Sequence, residues 1–195
     1  MKLNYKSFGE GEPVIILHGL FGTLDNWQTI AKQLAQDYMV FIIDLRNHGR
    51  SPHVDEHTYK AMADDIQVFL SENWIYGAHV IGHSMGGKTA MRLALDYPEL
   101  VNKLVVVDMG IKENPPGHHA IFKALLGLDL GNMKSRGEAA KEFQKDIEDV
   151  GVRQFLLKNL TRKREGGYEW KMNLPVIHAH YNDILEAIDH DDTFD

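Results

Sequence analysis

Four short apolar runs punctuate the first 110 positions of the chain: Val14-Ile15-Ile16-Leu17, Val40-Phe41-Ile42-Ile43, His79-Val80-Ile81 and Leu104-Val105-Val106-Val107. Each is bounded by Gly, Asp or His and lacks polar alternation, the pattern of parallel strands buried on both faces. Between them the period changes. Trp27, Ile30, Ala31 and Leu34 fall at i, i+3, i+4 and i+7, with Asp25 placed as an N-cap and Gln28 as its capping-box partner. Tyr59, Met62, Ile66, Phe69 and Leu70 repeat the helical spacing. A third helix is expected to begin at Ser84 or Met85 and to stop at Pro98, because the residue before a proline resists the α conformation. Strands alternating with helices predict an α/β fold built on a mostly parallel sheet. Lys2 to Phe8, followed by Gly9-Glu10-Gly11, reads as an extra leading strand and turn.

Beyond Gly110 the pattern turns helical and polar, with no comparable strand. Glu113-Asn114-Pro115-Pro116-Gly117 reads as a hinge. Ile121, Leu125 and Leu128, then Phe143 and Ile147, then Val152, Phe155, Leu156 and Leu160 predict three amphipathic helices. The expected division is a core over 1–110 and a helical cap with an acidic tail over 111–195. The plainer reading of those helices is ordinary packing with no contact to a ligand.

The balance of 21 Lys plus Arg against 28 Asp plus Glu gives the 195 residues a net charge of −7, which argues against a nucleic-acid or anionic-membrane surface. With 44% hydrophobic residues the chain can bury an ordinary core, and one domain is the simplest expectation. The absence of cysteine removes disulfides, thiolate nucleophiles and Cys-type metal sites together. With no leader-like or membrane-length apolar run, the expectation is a soluble, cytoplasmic protein.

The strongest chemical signal is Gly82-His83-Ser84-Met85-Gly86, a G-x-S-x-G between a predicted strand and a predicted helix. A sharp strand-to-helix turn holds such a serine in strained geometry and projects its hydroxyl at the carboxyl end of the sheet. The plainer alternative is a glycine-rich helix entry with a serine N-cap. His18-Gly19-Leu20-Phe21-Gly22-Thr23, after the first buried run, resembles an oxyanion-hole loop. The expected donors are the backbone N–H groups of Leu20 and Met85. His18 itself is expected to be structural, bonded to the loop backbone.

Residues 13–111 resemble an α/β-hydrolase fold serine hydrolase. Three segments are similar to the narrower group of YbfF-type esterases and their eukaryotic relatives: Asp44-Leu45-Arg46-Asn47-His48-Gly49-Arg50-Ser51-Pro52-His53, the run Gly82 to Met91, and Val107-Asp108. The likeness continues through Phe155-Leu156-Leu157-Lys158 and Trp170-Lys171-Met172-Asn173-Leu174-Pro175. It implies an esterase or acyl-thioesterase acting on short to medium acyl groups of a small-molecule substrate, with no cofactor and no metal. It also implies that Asp108, which ends the fourth buried run, is the acid; the alternative is that Asp108 caps loop backbone. Asp44 also ends a run, but a structural contact to Arg46 or to backbone is expected there. The acyl pocket is expected to include Phe21, Ile111, Phe122, Leu125 and Trp170.

The family pattern continues with further strands and a loop carrying the general-base histidine, and neither is recognisable after Pro175. His83 must point away from Ser84; His48, His53 and His57 belong to the loop after Asp44; His118 and His119 follow the proline hinge, from which they could reach the site, and the plainer reading of each is a surface residue. The expectation is therefore a fragment, a truncated reading frame or half of an exchanged assembly, with little activity. Its Leu104 to Val107 edge would be left open to self-association. Three alternatives remain: a non-catalytic binding module, a C–C hydrolase or lyase on the same fold, and, on His178, His180 and Asp183, a metal site. Dehalogenase and epoxide hydrolase chemistry would need aspartate in place of Ser84.

Overall fold

A five-stranded sheet in the order β1-β3-β2-β4-β5 organises the computed structural model, which describes residues 1–189 and 193–194. Most of the acidic tail expected over 189–195 thus lies outside the described residues. The strands are β1 (Tyr5–Phe8), β2 (Glu12–Leu17), β3 (Tyr38–Ile43), β4 (Ala78–His83) and β5 (Val101–Val107). All neighbours pair in parallel except β1, which runs antiparallel to β3. The four apolar runs are thus strands of one parallel sheet, and the leading segment closes one edge of it; the expectation of burial on both faces fails for the fourth run, Leu104 to Val107, which forms the opposite edge and is partly exposed.

Side-chain alternation divides the sheet between two cores. Ile15, Leu17, Phe41, Ile43 and Val80 face α2 (Tyr59–Glu72) and α3 (Met85–Asp96), meeting Met62, Ile66, Phe69, Leu70 and Leu93. Val14, Ile16, Val40 and Ile42 face the other way, onto Leu24 and onto Ala31 of α1 (Gln28–Leu34). Helix α3 stops before Pro98, where a short 3-10 turn leads into β5, as the sequence requires. The first helix starts differently from expectation. A 3-10 turn over Leu24–Trp27 precedes it, opened by Thr23, whose N–H donates to Asn26 Oδ1 at 2.7 Å. Asp25 lies inside that turn, and its carboxylate takes the Lys6 ammonium at 2.7 Å and the Gln28 amide instead of capping backbone.

The region after β5 carries α4 (His119–Leu126), α5 (Arg136–Phe143), α6 (Val150–Leu157) and α7 (Leu174–Ala179). It also carries a hairpin of β6 (Leu160–Arg162) and β7 (Tyr168–Trp170), which corrects the strand-free reading of this region. Leu160, assigned to the third cap helix from its spacing, opens β6. Gly166 and Gly167, at φ 103° and 73°, supply the left-handed turn the hairpin needs. The region leaves and re-enters the core through one narrow place: Asn114 N–H donates to Leu185 O and Ile188 N–H donates to Ile111 O, both at 2.8 Å. Lys88, fully buried on α3, donates its ammonium to the carbonyls of Leu185 and Glu186 and so ties the returning segment to the core. Among the described residues, β5 is an open edge of the sheet, with Val105 49% and Val107 37% exposed. No helix among them is long and apolar enough to cross a membrane.

Candidate active site

Ser84 sits between β4 and α3 at φ 52°, ψ −119°, a backbone state that side-chain-bearing residues rarely adopt. Such a conformation costs on the order of 1–3 kcal/mol and survives only where the surroundings over-determine it. Here they do. A Cβ on Gly82 would lie 2.2 Å from Gly86 O, and one on Gly86 would lie 2.4 Å from Leu17 O, so both flanking positions must be glycine. Ser84 N–H donates to Val107 O at 3.0 Å, which seats the turn against the carboxyl end of β5.

The segment after β2 folds over this turn. A Cβ on Gly19 would lie 3.1 Å from Ser84 Cβ and 2.9 Å from His83 Nδ1, so the loop backbone rests on the serine. A tight turn closed by Gly22 N–H on Gly19 O, at 2.9 Å, has Leu20 and Phe21 at its centre. His18 fixes its base: Nδ1–H donates to Gly19 O at 2.8 Å, and Leu45 N–H donates to Nε2 at 3.1 Å. Burial lowers the His18 pKa, in keeping with a neutral ring used for structure. Among the described residues neither the Leu20 nor the Met85 N–H has an acceptor. Met85 is the first residue of α3, and Leu20 borders the same two cavities as Ser84.

Two cavities flank the serine. The larger, about 520 Å³, is walled by Leu20, Asn26, Trp27, Ile30, His118 and Phe155. The smaller, about 180 Å³, is walled by Tyr59, Met85, Met109, Pro115, Ile184 and Leu185. Ser84, Leu20 and His118 border both. A family model described as the alpha/beta hydrolase fold matches residues 12–139, which takes in strands β2 to β5, the elbow and the loop over it. The chain belongs to the α/β-hydrolase fold family.

Within that family it is 39% identical to an sn-1-specific diacylglycerol lipase of Danio rerio over 206 residues, covering 100% of this chain and 65% of the relative. It is 35% identical to the esterase YbfF of Escherichia coli, covering 95% of this chain and 73% of that one. A solved marine microorganism esterase superposes with a TM-score of 0.96 at 40% identity, over 98% of this chain and 76% of that structure. The chain thus spans about three-fifths to two-thirds of the length of the diacylglycerol lipases it matches.

In this hydrolase fold Asp108 follows β5 directly, one residue beyond the carbonyl that holds Ser84, at φ 53° and exposed. Its carboxylate has no partner among the described residues, unlike that of Asp44. Buried Asp44 accepts from Leu24 N–H, Asn4 Nδ2 and Arg50 N–H at 2.7 to 3.0 Å. Arg46 does not reach Asp44; it pairs with Asp65 at 2.6 Å and Glu56 at 3.2 Å.

The structure places the five residues expected in an acyl pocket away from the two cavities beside Ser84. Phe21, Phe122 and Leu125 are buried in the packing between cap and core, Ile111 is 59% exposed, and Trp170 pairs with Leu160 in the hairpin. None of the five borders either cavity, because the most apolar side chains are consumed in seating the cap. Trp27, Ile30 and Phe155 take their place. The first two belong to the helical stripe the sequence displays, and periodicity alone does not distinguish a stripe facing core from one facing a cavity.

His118 is a half-buried wall of both cavities that Ser84 borders. Tyr181 Oη accepts the N–H groups of Gly117 and His118 at 3.1 Å, so its own proton goes to His118 Nδ1 at 2.8 Å. With that assignment the neutral ring carries hydrogen on Nε2. His48 and His57 stack near His18 as buried rings, at 5.1 and 5.5 Å between successive centroids. His180 bonds Asp183 at 2.6 Å and Asp55 O at 2.9 Å. His178 packs its ring against Phe122. Among the described residues no group of three or more His, Asp or Glu is arranged to hold a metal, and no histidine bonds Ser84 or Asp108.

Proposed function

We propose that this hydrolase-fold chain cleaves carboxylic esters or acyl thioesters of short to medium acyl chain through an acyl-enzyme on Ser84. The observation that carries the reading is the elbow itself: a serine at φ 52° whose flanking positions admit only glycine, beside two unengaged backbone donors. Ser84 Oγ attacks the carbonyl carbon as a base removes its proton. The oxyanion rests on the Leu20 and Met85 N–H groups, and its collapse expels the alkoxide or thiolate, which takes that proton. Water repeats the sequence on the acyl-enzyme. Asp108, next to the carbonyl that holds Ser84, is assigned the part of the carboxylate that orients a histidine base. No described residue is assigned to the base. Relatives named esterase and diacylglycerol lipase support ester chemistry on small molecules.

A second reading, a binding module with this pocket, draws on the absence of a histidine on Ser84 among the described residues. A fluorophosphonate separates the two. Under the enzyme reading the label maps to the peptide holding Ser84 and is lost in Ser84→Ala. Labelling of Ser51 or Ser71 with Ser84 untouched overturns the assignment, and no labelling at all favours the binding module.

A further inference from the structure

We infer that Asn159, between α6 and the β6–β7 hairpin, is a positioning residue for the oxyanion loop, so that the cap region holds a donor of the core in place. The inference rests on the assignment of Leu20 N–H as an oxyanion donor. Asn159 is 1% exposed, and its Nδ2 donates to Phe21 O at 2.7 Å across 138 residues of sequence. A carbonyl can only accept, which fixes the amide's orientation: Nδ2 faces the loop.

Three observations make this bond more than incidental packing. First, Phe21 lies at φ 59°, in the left-handed region that the third position of such a turn ordinarily gives to glycine. A bulky residue there needs external restraint. Second, that restraint comes from the cap region at both ends of the residue. Asn159 takes its carbonyl, while its ring is gripped edge-on by Phe122 at 5.2 Å and by His118 at 6.0 Å. Third, Asn159 is used for its donor alone. Its Oδ1 is buried without a partner among the described residues, while its backbone carbonyl accepts Lys171 N–H at 2.8 Å and locks the residue to the strand side of the hairpin. Leucine would fill the space, and aspartate would match the shape; neither supplies the N–H. The turn whose centre is Leu20 and Phe21 therefore keeps its shape, and the Leu20 N–H its direction, through a side chain outside the core.

The test compares Asn159→Leu and Asn159→Asp with Asn159→Gln, which retains an amide donor, all in the 195-residue chain. Turnover of p-nitrophenyl butyrate is set beside that of its thionoester, whose C=S sulfur accepts hydrogen bonds poorly. An oxyanion hole contributes even without an engaged base, so the ratio is readable on a slow rate. Displacing one donor should lower oxygen-ester turnover about 10- to 100-fold at nearly unchanged KM. Thionoester turnover should fall far less, and Gln should restore part of the loss. Amide hydrogen exchange needs no turnover; at Gly22, whose N–H closes the turn on Gly19 O, it should quicken about tenfold or more in the Leu and Asp variants only. Equal losses on both esters, or exchange unchanged in every variant, overturn the inference. A wild-type chain with no preference for the oxygen ester overturns the oxyanion assignment itself, and the role of Asn159 with it.

Discussion

Asp44 follows β3 and Asp108 follows β5 of the same sheet, yet their carboxylates live in opposite circumstances. Asp44 is buried and accepts three donors, and a Cβ on Gly49, at φ 60°, would lie 2.2 Å from its carboxyl carbon. The loop after β3 is wound around that carboxylate. Asp44→Asn replaces an acceptor with an amide that opposes at least one of those donors, and should lower stability by about 1–3 kcal/mol, read as a drop in melting temperature. Asp108→Asn should leave the melting curve within about 0.5 kcal/mol of wild type, because the exposed carboxylate supports nothing else. It should lower ester turnover instead, by up to about 10⁴-fold where a histidine base is engaged. Loss of activity in Asp44→Asn with an unchanged melting curve would exchange the two roles. The sequence marks both residues as strand-ending acids; what separates them is the ring of donors, which comes from positions 4, 24 and 50 and has no local signature.

At the scale of elements, the edge formed by β5 is the feature with the most direct consequence. A parallel strand with Val105 and Val107 exposed leaves backbone donors and acceptors beside apolar side chains. We propose that the 195-residue chain self-associates there. Sedimentation should find dimers or larger species, and Val105→Lys with Val107→Lys should shift them toward monomer; a monodisperse wild-type monomer would refute this. Strands β2, β3 and β5 are legible because each carries an unbroken apolar run of four residues. β6 and β7 are not, since three residues give no period to read, although Gly166-Gly167 between Leu160-Thr161-Arg162 and Tyr168-Glu169-Trp170 is a hairpin signal in retrospect. The elbow is legible because its glycines are fixed by backbone contacts one turn apart. The cavity walls are not, because Trp27, Ile30 and Phe155 come from two distant helical segments whose apolar stripes look like any others.

Across the whole molecule, the buried histidines set a limit on acid tolerance. Burial drives His57 down to about 3 from 6.5, and burial with neighbouring His18 and His57 drives His48 well below its ordinary value. In the unfolded chain these rings take up protons as pH falls through 6.5, while in the folded chain they stay neutral. Stability is therefore full above about pH 6.5 and declines toward pH 3, by about 1.4 kcal/mol per pH unit for each histidine fully affected. Melting temperatures at about pH 7.5 and pH 5 should show the fall, and His57→Gln should flatten it; an unchanged slope would remove His57 from the account. The place where the chain leaves the core and returns has a different kind of consequence. Residues 111 and 188 are joined by one hydrogen bond, so everything between them is, in engineering terms, an insertion whose two ends already touch. Closing that gap with a short connector costs little chain entropy, because the loop it replaces is already closed. The segment from 111 to 188 thus has the geometry of a cassette whose exchange would not re-thread the sheet.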